Sequence, residues 1–84
     1  MTIRILYFAA LRDVLGCAEE SLNLPAGVAT IADLQAFLAS RGEGWSALRP
    51  GRSVRAARNQ RMAQGGEPVM PGDEVAFFPP VTGG

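Results

Sequence analysis

The chain ends Phe77-Phe78-Pro79-Pro80-Val81-Thr82-Gly83-Gly84. The group best placed for chemistry is therefore the terminal carboxylate of Gly84, carried on a stem no wider than the backbone. Glycine has no Cβ, so Gly83 and Gly84 can enter a channel that any side chain would block. Pro79 and Pro80 fix φ, remove two donors and favour an extended exit from whatever precedes them. From Pro79 to Gly84 the reach is about 20 Å when extended. Val81 and Thr82 continue without a break from an apolar stretch, which sets this ending apart from an appended scar.

The rest of the sequence narrows what such a terminus does. There is no histidine, so general base chemistry near neutral pH lacks its usual side chain. All eight basic residues are arginine, and an activated Gly84 carboxyl would meet no lysine amine on its own chain. Metal binding would need Cys17 together with carboxylates, and no metal site is expected. That single cysteine excludes an intramolecular disulfide and fits a reducing, cytoplasmic setting. It follows Gly16 at a turn, with no sign of an activated thiol. The eight acids balance the eight arginines, 48% of residues are apolar, and the chain is 84 residues long. This is the composition of one small globular domain, burying about 60–65% of its unfolded surface. No apolar run approaches a membrane span and no secretory signal opens the chain.

The elements that must position the tail follow from pattern. Ile3 to Phe8 is rich in β-formers and reads as a strand. Ala9 to Leu15 suggests one or two helical turns closed by Gly16. Glu19 to Leu24 alternates and is a second strand, ended by Pro25-Ala26-Gly27. Thr30 is an N-cap with Asp33 three residues on, and Ile31, Leu34, Phe37 and Leu38 form one apolar helical stripe. The helix is expected to hold Arg41 in its last turn and Gly42 just beyond. Trp45 and Leu48 suit a short turn over the core edge. Ser53 to Asn59 is a further strand, residues 61–66 a loop or short edge piece, Pro71-Gly72-Asp73 a turn and Glu74 to Phe78 the last strand. One helix across a small mixed sheet gives an α+β domain over residues 1–78, with 79–84 as an extended tail. If the first and last strands lie side by side in parallel, the fold is the β-grasp, or ubiquitin-like, fold.

Phe77 and Phe78 are consecutive in a strand, so they point to opposite faces and cannot share one core. One of them is free to join Pro79, Pro80 and Val81 in an apolar docking patch. Arg49, Arg52, Arg55, Arg58 and Arg61 recur every three residues, a period that suits neither a helix face nor a strand face. With zero net charge, a nucleic-acid surface is not expected. Solvated surface, or docking to an acidic protein, is the better account.

The segment Pro71 to Gly84 closely resembles the C-terminus of the small subunit of molybdopterin synthase, a family of ubiquitin-like sulfur carriers. Tyr7-Phe8-Ala9 followed by Leu11-Arg12 resembles that family's opening, and Asn59-Gln60 adds a third point of likeness. Arg58 departs from it, standing where the family commonly has an apolar residue. The resemblance implies a mechanism. An activating enzyme spends ATP to adenylate Gly84, a sulfur donor protein converts it to a thiocarboxylate, and the tail inserts Val81, Thr82 and Gly83 into the large subunit. Sulfur then passes to a pterin precursor to build the dithiolene of molybdenum cofactor biosynthesis. It further implies a complex of two small and two large subunits, with catalytic side chains on the large one and no cofactor bound here. Three alternatives stand beside it: a carrier feeding thiamine or tRNA thiolation, a ubiquitin-like modifier joined to protein lysines, and a passive interaction module.

Overall fold

Strands β1 (Thr2–Tyr7) and β5 (Glu74–Phe78), the two ends of the domain, lie side by side in parallel, pairing Arg4 with Glu74 through Tyr7 with Phe77. The computed structural model describes residues 2–49 and 54–79. Between those strands run α1 (Ala9–Leu15), β2 (Glu19–Asn23), α2 (Ile31–Ala39), a 3-10 helix (Glu43–Leu48), β3 (Arg55–Arg58) and β4 (Arg61–Ala63). The sheet order is β2-β1-β5-β3-β4, and every pairing except β1 with β5 is antiparallel. This is the ubiquitin-like β-grasp, as the pattern of elements predicts. It puts β5 in the middle of the sheet, so the tail is launched from a strand held on both sides.

Alternation decides which face is which. Ile3, Ile5 and Tyr7 of β1 and Val75 and Phe77 of β5 point to one side and are buried there against Ile31, Leu34 and Leu38 of α2. Leu48 closes that core from the 3-10 helix. Thr30 caps α2 as expected. Its hydroxyl accepts from the Asp33 N–H at 3.1 Å, and Asp33 accepts in return from the Thr30 N–H at 3.2 Å. These bonds, led by one from the Ala29 N–H, hold the Asp33 carboxyl below its ordinary pKa.

Several boundaries differ from the sequence reading. Helix α2 stops at Ala39 with Ser40 as its C-cap, so Arg41 is outside the helix and not in its last turn. The reason is a competing partner: Arg41 turns back to pair with Glu20 of β2. Gly42, with φ of 142°, opens the 3-10 helix instead of closing α2. Phe8 is the N-cap of α1, not the last residue of β1, and Leu24 falls just past β2. Strand β3 begins at Arg55, and the expected start at Ser53 lies outside the described residues. Residues 61–63 pair with β3 and form the sheet's short edge.

The β3–β4 hairpin turns on Asn59 and Gln60, whose φ values are 51° and 68°. Two left-handed residues in succession are the signature of a tight primed turn. Asparagine tolerates this region, whereas glutamine incurs a steric cost. Gln60→Gly is therefore expected to stabilise the domain by about 0.5–1 kcal/mol, after the entropy that glycine adds to the unfolded chain is deducted. A thermal melt should show the midpoint rising by about 3–6 °C.

Candidate functional site

The root of the tail is built by three residues with three different environments. Phe77 is fully buried, its ring stacked on Tyr7 with centroids 6.4 Å apart. Its carbonyl accepts from the Phe8 N–H at 3.1 Å, a last rung that pins the end of β5 to β1. Phe78 is half-buried on the opposite face, and Pro79 is half-buried after it. The pair of phenylalanines thus divides as strand geometry requires. The docking role that the sequence allowed either residue can belong only to Phe78, because the Phe77 ring is sealed in the core. Pro80, Val81, Thr82, Gly83 and Gly84 lie outside the described residues.

Phe78 belongs to an apolar groove on the open face of the sheet, the face α2 does not cover. Leu6, Phe8, Ala57, Ala76 and Met62 line it with Phe78, while Glu74 and Gln60 close one end. Phe8 is 46% exposed and Met62 61%, high values for large apolar side chains, and they flank the groove from opposite sides. Cross-strand register places Arg55 beside Phe78 at the other end. At the β2 side, the Arg4 Nε donates to Glu19 Oε2 at 2.9 Å. The face is therefore an apolar centre bordered by charges of both signs.

Behind this face two polar clusters fix the sheet. The first surrounds Glu20. Its Oε2 accepts from the Tyr7 hydroxyl at 2.8 Å, and both its oxygens accept from the Arg41 guanidinium, at 2.8 and 2.9 Å. Arg41 in turn lies 4.6 Å above the Trp45 ring, and Trp45 meets Tyr7 edge-on at 5.6 Å. The Arg41 hydrogen bonds hold the Glu20 carboxyl below its usual range, against the opposing effect of burial. Burial, followed by the bond to Glu20, pushes the Tyr7 hydroxyl far above its ordinary pKa. This cluster supports the ring on which Phe77 stacks. The sequence reading missed it, because its four members are scattered from residue 7 to residue 45 and only the fold brings them together.

The second cluster surrounds Asp73, the buried acid of the Pro71-Gly72-Asp73 turn. Its Oδ2 accepts from Arg58 Nε at 2.6 Å and from the Met70 N–H at 2.7 Å, while Oδ1 accepts from Asn59 Nδ2 at 3.0 Å. Asn59 completes the link by exchanging two bonds with Glu74. Asp73 thus joins the β3–β4 turn to the start of β5. This also accounts for Arg58. Its strand position faces the core side, and Asp73, with Glu67 at 3.7 Å, supplies the counter-charge that makes arginine acceptable there.

The arginines spaced by three do not form one band. Arg58 is consumed internally, Arg55 borders the open face, Arg61 sits at the β4 edge and Arg49 follows the 3-10 helix. Arg52 lies outside the described residues. Cys17 is a half-buried free thiol whose Sγ donates weakly to the Glu19 carbonyl at 3.4 Å, packed at the core rim. Among the described residues no helix is long and apolar enough to cross a membrane.

Known proteins resemble this chain in sequence and in shape. The molybdopterin synthase sulfur carrier subunit of Escherichia coli is 39% identical over 83 residues, covering 98% of this chain and 99% of the relative. A solved structure of a molybdopterin converting factor subunit 1 from Pyrococcus furiosus, so named provisionally, is 31% identical with a TM-score of 0.77, covering 96% of this chain and 99% of that one. The small archaeal modifier protein 1 of Haloferax volcanii is 28% identical with a TM-score of 0.74, covering 95% and 98%. The model of the ThiS family matches residues 5–84, from the first strand through the terminal glycines, and the chain belongs to that family.

Proposed function

We propose that this chain is the sulfur carrier subunit of a cytoplasmic molybdopterin synthase, and that Gly84 is the atom-bearing end of the carrier. The observation that carries the reading is the placement of β5. A strand clamped between β1 and β3 ends in Phe78-Pro79 beside an open apolar groove, and the sequence beyond it runs to Gly83-Gly84. Relatives named for this role extend over nearly the whole chain.

The division of labour follows from chemistry. A carboxylate resists substitution because its leaving group would be oxide. An ATP-dependent activating enzyme joins Gly84 to AMP with release of pyrophosphate. A sulfur donor protein then supplies the sulfur that displaces AMP, leaving a thiocarboxylate. Phe78, Pro79 and Pro80 dock the domain on the large subunit, with Leu6, Phe8 and Met62 extending the contact. Val81, Thr82 and Gly83 thread the reactive end into that subunit's pocket, where sulfur passes to a pterin precursor. Histidine and lysine, absent here, belong on the partner. Phe77 acts only through the core, by holding the direction of the root.

The test is the intact mass after incubation with the activating enzyme, ATP and a sulfur donor. One oxygen-for-sulfur exchange is expected in the full chain and none in a chain lacking Gly84. An active enzyme that leaves the mass unchanged refutes the assignment. The likeness to a small archaeal modifier protein gives a second reading, in which Gly84 forms amides with other proteins. That reading predicts heavier conjugates in extracts, which sulfur carriage alone does not produce.

A further inference from the structure

We infer that the open face of the sheet is also a self-association surface, on which two copies of this chain pack face to face about a two-fold axis running across the strands. The inference uses the same face as the proposed large-subunit docking but does not depend on that partner's identity. Four features of the face carry it.

Its centre is small and its surround is large. Ala57 and Ala76 are cross-strand neighbours, and the bulkier Leu6, Phe8, Met62 and Phe78 stand around them. Small central residues let two sheets approach to the usual spacing of about 10 Å while the outer rings interdigitate.

The charges are arranged to match themselves. Glu74 and Phe78 share this face of β5 and lie about 13 Å apart along the strand. Arg55 is the cross-strand partner of Phe78, so the tail end of the groove is positive. Glu74 marks the other end, with Arg4 beside it on β1 already paired to Glu19, which leaves the Glu74 carboxylate as the acceptor there. An axis across the strands reverses the second sheet, bringing Arg55 of each copy to the end occupied by Glu74 of the other. An axis along the strands would instead set Glu74 against its own symmetry mate. A two-fold interface satisfies each pair twice, so the favourable choice is doubled.

The whole chain has zero formal net charge, so no long-range repulsion opposes the encounter. The reversed arrangement also places Pro79 of the two copies at opposite ends of the shared face. Eight residues line the groove, fewer than a standard interface uses on each side, so the self-complex is weak and reversible. A larger partner using the same face displaces it. The dimer thus covers exposed apolar surface on carriers that have no partner, and holds them in competition with docking.

The experiment is sedimentation equilibrium of the full chain across micromolar to millimolar concentrations, with a reductant present so that Cys17 cannot link copies. The wild-type chain is expected to dimerise reversibly. Arg55→Glu and Glu74→Arg should each weaken dimerisation about tenfold or more. The double variant, which restores opposite charges across the axis, should return it to within about threefold of wild type. Circular dichroism melts of all three variants establish that they are folded. A wild-type chain that stays monomeric throughout overturns the inference. So does a double variant as weak as the single ones. Binding of wild type to the large subunit is measured separately, so loss of either result leaves the other standing.

Discussion

Truncating Phe77 to alanine will cost about 3–5 kcal/mol of folding free energy. A domain of this length holds about 4–13 kcal/mol in total, so the variant loses a large share of its native population. The size of the effect follows from position. The Phe77 ring is 0% exposed, sits on the central strand and contacts the stacked Tyr7 ring, so its removal leaves a cavity that strands fixed on both sides cannot close. Phe78→Ala, one residue away, removes a side chain already half in water and is expected to cost about 1 kcal/mol. Urea denaturation of the two variants decides the matter. Equal shifts in midpoint at equal slope would mean that the two faces of β5 are not distinguished as described. The contrast carries over to binding: Phe78→Ala should weaken docking to the large subunit while leaving the fold intact.

Asp73→Asn is expected to cost about 2–3 kcal/mol. The substitution keeps the side chain's shape but places an amide where Asp73 meets only donors. Arg58 Nε, the Met70 N–H and Asn59 Nδ2 all converge on two carboxylate oxygens, and one of them would then face another donor. The loss stays below that of a sealed ion pair, because Arg58 is partly exposed and can still reach Glu67. The same substitution changes the response to acid. Burial opposes ionisation of Asp73, yet the bonds from Arg58, Met70 and Asn59 outweigh it and hold its pKa below the ordinary carboxylate value. The unfolded chain therefore binds the proton more readily than the folded one. That stabilisation is complete above the unfolded value near pH 4 and is lost as pH falls through the folded value. Glu20, also depressed, adds to the same acid limb. Stability measured from pH 7 downward should fall below about pH 4 in wild type, and less steeply in Asp73→Asn. An unchanged slope would remove Asp73 from that account.

The sequence exposed the fold through its periodic parts. Ile31, Leu34 and Leu38 repeat at helical spacing, and β1 and β5 are rich in β-formers, so the elements and their order were legible. The boundaries that moved did so where a distant group outbid a local preference. Arg41 is a good residue for a helix C-terminus, but Glu20 offers it two hydrogen bonds and a place over Trp45, and the helix ends sooner. Phe77 and Phe78 could be assigned to opposite faces from the sequence, but not to particular ones. That required knowing that α2 covers the side on which Val75 lies. Asp73 read as a turn residue and proved to be a hub, since its partners at Arg58 and Asn59 are near only after β3 and β5 pair. The reading of the residues leading to Gly84 rests on composition alone, since Pro80 to Gly84 lie outside the described residues.

The placement of β5 has a consequence for how such a molecule is made. The strand at the centre of the sheet is also the last of the five in sequence, so β1 waits for its parallel neighbour until residues 74–78 have been made. Pairings between the two ends of a chain close the largest loop and form slowly. A chain broken off before residue 74 has no middle to its sheet and leaves Ile3, Ile5 and Tyr7 without their partners. Folding thus acts as a proofreading step: molecules that reach the native state have already acquired the strand from which the terminal glycines depart.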